Sequence, residues 1–222
     1  MGETNVKPRE YLLNFIEKAD IPFGPSEVRL HDAVADLLHD AGTHPLYAAT
    51  PKVFIQYCQR QAELVVAFRR RMAKTELGKD PDIQPILRAF ENEMVNQIDE
   101  LADLSMPAQN FVKGHGTIED YRTNLLAWAK NQTRGFEPPA HGLWTKLFKA
   151  KEFVHGSFNP SKRAVYAKYD LLEQELAKFL EEEKARKPWL YEEMKQEPDS
   201  WCAEFLRNFQ TMQAGAKTLQ KK

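Results

Sequence analysis

His39 and Asp40, inside the run Val34-Ala35-Asp36-Leu37-Leu38-His39-Asp40-Ala41-Gly42, are the pair whose types and spacing come nearest to a reaction centre. A neutral imidazole beside a carboxylate suits a divalent metal that turns water into hydroxide at neutral pH. The same residues also read as a polar helix end, with a partly cationic His39 facing the negative pole of the helix dipole and Gly42 closing the last turn. Other patterns are incomplete. A two-metal carboxylate site in a helical bundle needs two Glu-x-x-His pairs, and this chain has one, Glu152 with His155. There is no His-Glu-x-x-His and no Gly-x-Ser-x-Gly elbow. Gly114 and Gly116 lack both the third glycine and the preceding strand of a dinucleotide loop. His115, His141 and His155 each adjoin a glycine in an expected loop or helix end, where imidazoles are usually solvated. Cys58 and Cys202 have no CxxC spacing, which leaves neither a disulfide framework nor a cysteine zinc site, and both read as structural thiols.

The run from Val34 to Gly42 resembles the Leu-Leu-His-Asp-x-Gly core of the HD-domain metal-dependent phosphohydrolases. The resemblance implies that His39 and Asp40 ligate a metal, that an earlier His and a later Asp complete the site, and that the metal activates water against a phosphoester. It covers nine of 222 residues. In that family the earlier His lies on a separate helix, whereas the one His upstream here is His31, two turns before His39 on the same expected helix. His31 or His44 is therefore the candidate third donor under this alternative.

Charge is segregated along the chain. From Lys79 to Asp103 seven acids stand against two bases, and from Phe111 to Asp170 ten bases stand against five acids. In the basic stretch Lys146, Lys149, Lys151, Lys162, Arg163 and Lys168 are interleaved with Trp144, Phe148, Phe153, Tyr166 and Tyr169. Lysines that follow phosphates and rings that stack on bases are the parts of a single-stranded nucleic-acid groove. An acidic protein partner would be met by the same cations. The competing reading gives the rings to a helical core and the lysines to its solvated face. Arg69, Arg70 and Arg71 point around a helix, so at least one is expected to pair with the acidic segment.

The elements that must position these residues are helices, because nearly every apolar run has the helical period and strand-like alternation is almost absent. A short helix is expected from Pro8 to the turn at Ile21-Pro25, and a second from Ser26 to Gly42. Thr50 and Pro51 read as cap and first turn of a helix running to Lys74 on Phe54, Tyr57, Leu64, Val65, Phe68 and Met72. After a break at Gly78, Asp80 and Pro81 repeat the signal for a helix carrying Ile83, Ile86, Leu87, Phe90, Met94, Ile98, Leu101 and Leu104. Pro85 either kinks its first turn or marks its true start. Together these two form an antiparallel hairpin with Phe68 and Phe90 buried.

A long loop is expected from Ser105 to Gly116, dividing an N-terminal helical half (1-110) from a basic-aromatic half (111-222) that is either separate or continuous with it. Beyond it, helices are expected from Thr117, over Leu143 to Val154, from Asn159 to Pro188, and from Asp199. Val165, Tyr169, Leu172, Leu176 and Phe179 form a seam only two heptads long, which points to a bundle helix and not a coiled coil.

With 31 Lys plus Arg against 32 Asp plus Glu and no long apolar stretch, the chain reads as soluble and cytoplasmic, without a membrane span. The expectation is an all-α multi-helix bundle built around the hairpin, with essentially no β-sheet and no cofactor. Its expected role is non-enzymatic binding or assembly with a protein partner, a second copy or single-stranded nucleic acid. The alternative is the HD-like phosphohydrolase.

Overall fold

The protein is described from a computed structural model, which covers residues 50–112, 137–158, 163–194 and 203–208, with isolated positions between 30 and 47, at 123, and between 200 and 214. Expectations for the Pro8 helix and Cys202, and for the helix from Thr117 apart from position 123, lie outside the described residues. Every described element is a helix or a turn, and no strand occurs among them. The chain is therefore an all-α multi-helix bundle.

Helix α1 (Lys52–Met72) buries Phe54, Ile55, Cys58, Ala62, Val65, Phe68 and Met72, a stripe recurring every three or four residues without an internal Gly or Pro. Its start differs from the expected cap. Pro51 takes the cap position and its carbonyl accepts the Phe54 N–H. Thr50 instead donates its hydroxyl to the Leu101 carbonyl at 3.2 Å, fastening the start of α1 to the helix beside it.

The expected break at Gly78 is also shifted. A single turn, α2 (Glu76–Lys79), contains Gly78, and the Thr75 hydroxyl accepts its N–H at 2.9 Å. A Cβ on Gly78 would lie 2.0 Å from the Met72 carbonyl oxygen, so glycine is required by close backbone approach.

Helix α3 (Gln84–Val112) begins with Pro85 in its first turn, which settles that proline as a start signal. Ile83, Ile86, Leu87, Phe90, Met94, Ile98 and Leu101 are buried as one stripe. The expected loop from Ser105 is helical as far as Val112 and passes through Pro107. An internal proline deletes one ladder bond and crowds the carbonyl four residues before it, a cost of about 3 kcal/mol that the helix propensities of Met106, Ala108 and Gln109 only slightly offset.

Helix α4 (Pro139–Phe158) opens with proline at its first position, and α5 (Arg163–Lys184) precedes a 3₁₀ turn over Pro188–Tyr191 that buries Leu190. The seam Val165, Tyr169, Leu172, Leu176 and Phe179 is buried throughout.

Pairings fix the helix directions. Phe68 meets Phe90 and Arg69 meets Glu91, while Thr50 reaches Leu101, so α1 and α3 run antiparallel. Lys151 meets Glu173 and His155 meets Tyr169, so α4 and α5 are antiparallel as well. Phe68 against Phe179 and Glu63 against Lys187 make α5 antiparallel to α1. The four long helices thus alternate down the chain, up-down-up-down. One apolar cluster runs from Leu30 and Leu37 through the hairpin and α4 to α5 and Phe205. No helix among the described residues is long and apolar enough to cross a membrane.

Candidate functional site

Helix α4 carries most of the residues singled out in the sequence, and its phase decides what each does. Ala140, Leu143, Lys146, Leu147, Ala150 and Val154 face inward. Thr145, Phe148, Lys149, Glu152, Phe153 and Gly156 face outward.

The inward face holds a polar chain inside an apolar core. Lys146 Nζ donates to Gln61 Oε1 at 2.8 Å, and Gln61 Nε2 donates to the Tyr57 hydroxyl at 2.8 Å. A Cβ on Gly142 would lie 1.8 Å from Gln61 Nε2, so the absence of a side chain there admits the amide between α1 and α4. Buried polar atoms that satisfy one another in this way lock two helices in register. Cys58 lies beside the chain, and burial pushes its thiol up to about 12. Burial likewise raises the Tyr57 hydroxyl above the ordinary tyrosine range. A protonated thiol and an enclosed, hydrogen-bonded ammonium serve packing, and Cys58 matches the structural role expected of it.

Burial also holds the Lys146 ammonium down to about 8, against an ordinary 10.5. Between these values the unfolded chain carries a proton at this position that the folded chain lacks, so stability rises with pH across the window. Below pH 8 both states are protonated and the cost of enclosing the cation is fully present. Cys58 acts in the opposite sense above pH 9, because the unfolded thiol ionises first. From pH 8 to pH 9 the wild type is therefore expected to gain about 1 kcal/mol relative to Lys146→Met. Denaturant titrations of both chains in half-unit pH steps measure this difference, and parallel stability profiles would show that the ammonium is hydrated.

The other lysines of the basic stretch largely face carboxylates of this chain. Lys151 meets Glu173, and Lys168 lies 2.8 Å from Asp80 and 2.6 Å from Asp82. Those hydrogen bonds hold the Asp80 carboxyl below, and the Lys168 ammonium above, their ordinary values. Lys149 is 60% exposed, with Nζ 3.7 Å from Glu93. The acidic segment of the hairpin thus meets the basic segment internally. Arg69 pairs with Glu91 in the core, as expected for one member of the arginine cluster, while Arg71 reaches Glu175 and Glu182 on α5. Trp144 is half-buried against the core. Lys162 and the side chain of Arg163 lie outside the described residues, as do His31, His39, Asp40 and His44. Among the described residues no cluster of His, Cys, Asp and Glu has the arrangement to hold a metal.

The rings divide in a way that composition did not reveal. Tyr169 is buried, but Phe148 and Phe153 are 60% and 64% exposed. Tyr166 is half exposed and stacks on His155 with ring centroids 5.0 Å apart. Helical phase against Leu143, Leu147 and Val154 was the available signal for the two phenylalanines. Gln61 and Gly142 carried no such signal, since their roles depend on a helix 81 residues away. No family model matches this chain, nor does any curated protein or any solved structure.

Proposed function

We propose that this chain is a non-enzymatic helical binding or assembly protein that meets a partner through the outward face of α4. The observation that carries the reading is two phenylalanines, each more than half exposed, flanking an exposed Lys149 on one rigid helix. A lone exposed ring is ordinary, but two on a single face with a cation between them are the anchors of an interaction surface. The basic stretch expected to contact nucleic acid or an acidic partner contributes Lys149 to this face, with Lys162 and Arg163 as further candidates. Lys146, Lys151 and Lys168 already have close partners within the chain, and Lys149 has a looser one in Glu93 at 3.7 Å, which favours a protein partner over a phosphate backbone.

The test places a benzophenone side chain at position 148 of the full chain in cells, with position 178 on exposed α5 surface as control. Cross-linked products at 148 and not at 178 are expected, and they should resist nuclease. A nuclease-sensitive adduct would assign the face to nucleic acid. Equal labelling at both positions would remove the reading of α4 as an interaction surface.

A further inference from the structure

The outward face of α4 places like rings and opposite charges evenly about one point. About the point midway between Ala150 and Lys151, Phe148 mirrors Phe153, Lys149 mirrors Glu152, and Thr145 mirrors Gly156. All six are exposed, and at 3.6 residues per turn they cover an arc of about 140°. Thr145, Lys149, Glu152 and Gly156 run up the middle, with Phe148 on one flank and Phe153 on the other.

A two-fold axis through that midpoint would lay the same helix of a second chain antiparallel on this one. Lys149 would then lie level with the partner's Glu152, a contact repeated by symmetry. Because a two-fold axis keeps each flank on its own side, Phe148 would lie beside the partner's Phe148 and Phe153 beside the partner's Phe153. This is the self-complementarity that an isologous interface requires. Thr145 and Gly156 are small and lie on the middle line where the two helices would approach most closely. A Cβ at Gly156 would meet nothing within 4 Å, so the space is open in the single chain.

We infer that the outward face of α4 is the seam of a symmetric homodimer, with a second copy of this chain as its occupant. The inference rests on the reading of that face as an interaction surface and names the partner. One helix face of about three turns lies at the small end of specific interfaces, so association is expected to be concentration-dependent and reversible.

Sedimentation equilibrium of the full chain tests it. The mass should rise with concentration from 25.7 kDa toward twice that value. Lys149→Glu and Glu152→Lys should each weaken association at least tenfold, because each places like charges opposite one another at two symmetric points. Mixing the two variants in equal amounts should restore dimer, since the mixed pair has opposite charges at both points. That rescue also shows that each variant is folded. Gly156→Arg should weaken association without lowering the thermal midpoint read at a concentration low enough to keep the chain single. A chain that stays at the single-chain mass at every concentration overturns the inference, as does a dimer that neither charge reversal weakens or that the mixture fails to restore. If the chain stays single while position 148 cross-links another protein, the homodimer fails and the interaction surface stands. If position 148 labels no more than position 178, both fail.

Discussion

Phe90→Ala is expected to remove about 3 to 5 kcal/mol of folding free energy, the usual cost of deleting a buried ring from a core that relaxes only partly. Phe90 has no exposed surface and lies edge-on to Phe68, with centroids 6.0 Å apart and planes at 81°. Phe68 in turn meets Phe179 at 5.5 Å, so the ring bridges the hairpin to α5 through one neighbour. Small domains hold only about 5 to 15 kcal/mol in total, so this one change removes a large share of it. Urea denaturation at a protein concentration low enough to keep the chain single measures the loss. Phe153→Ala is the internal comparison, because its ring is 64% exposed and its removal should change stability by less than about 0.5 kcal/mol. Equal costs at the two positions would contradict the assigned phase of α3 or α4.

Arg69→Met is expected to cost about 3 to 5 kcal/mol by a different mechanism. Arg69 Nε donates to Glu91 Oε1 across the hairpin, and both side chains are buried. Removing the guanidinium takes from a buried carboxylate the charge that Arg69 supplies, and the desolvation of that ion is then less well offset. Replacing both residues, as Arg69→Met with Glu91→Leu, should return most of the stability, because two apolar side chains of similar volume need no solvation. The double-mutant cycle read by denaturant titration separates these contributions. A single substitution that costs less than about 0.5 kcal/mol, or a double that costs as much as the sum of the singles, would mean that the pair is not enclosed.

Much of the architecture was legible locally. The stripes of α1, α3 and α5 place Phe68, Phe90 and Leu172 inside by period alone, because a helix repeats every 3.6 residues wherever it is packed. Boundaries were less legible. Pro107 reads as a stop, yet α3 continues through it, although the roughly 3 kcal/mol that an internal proline costs exceeds what the helix propensities of its neighbours can offset. Thr50 reads as a cap, yet its hydroxyl goes to Leu101 because a neighbouring helix offers a carbonyl that no local pattern announces.

What the sequence by itself determined was the class of the fold, the helix faces and the segregation of charge, all of which depend on residues within a few turns of one another. The use of that charge was decided by tertiary structure. Lys168 finds Asp80 across 88 positions, Lys187 finds Glu63 across 124, and Lys146 finds Gln61 across 85. A lysine on a helix has the same local pattern whether it meets phosphate, water or a carboxylate. Its partner is set by which helices pack together and in which direction, and the up-down-up-down order brings the acidic turn of the hairpin against α5. The same order turns Phe148 and Phe153 to the outside while closing α4 over Lys146, because a helix that buries one face must present the other.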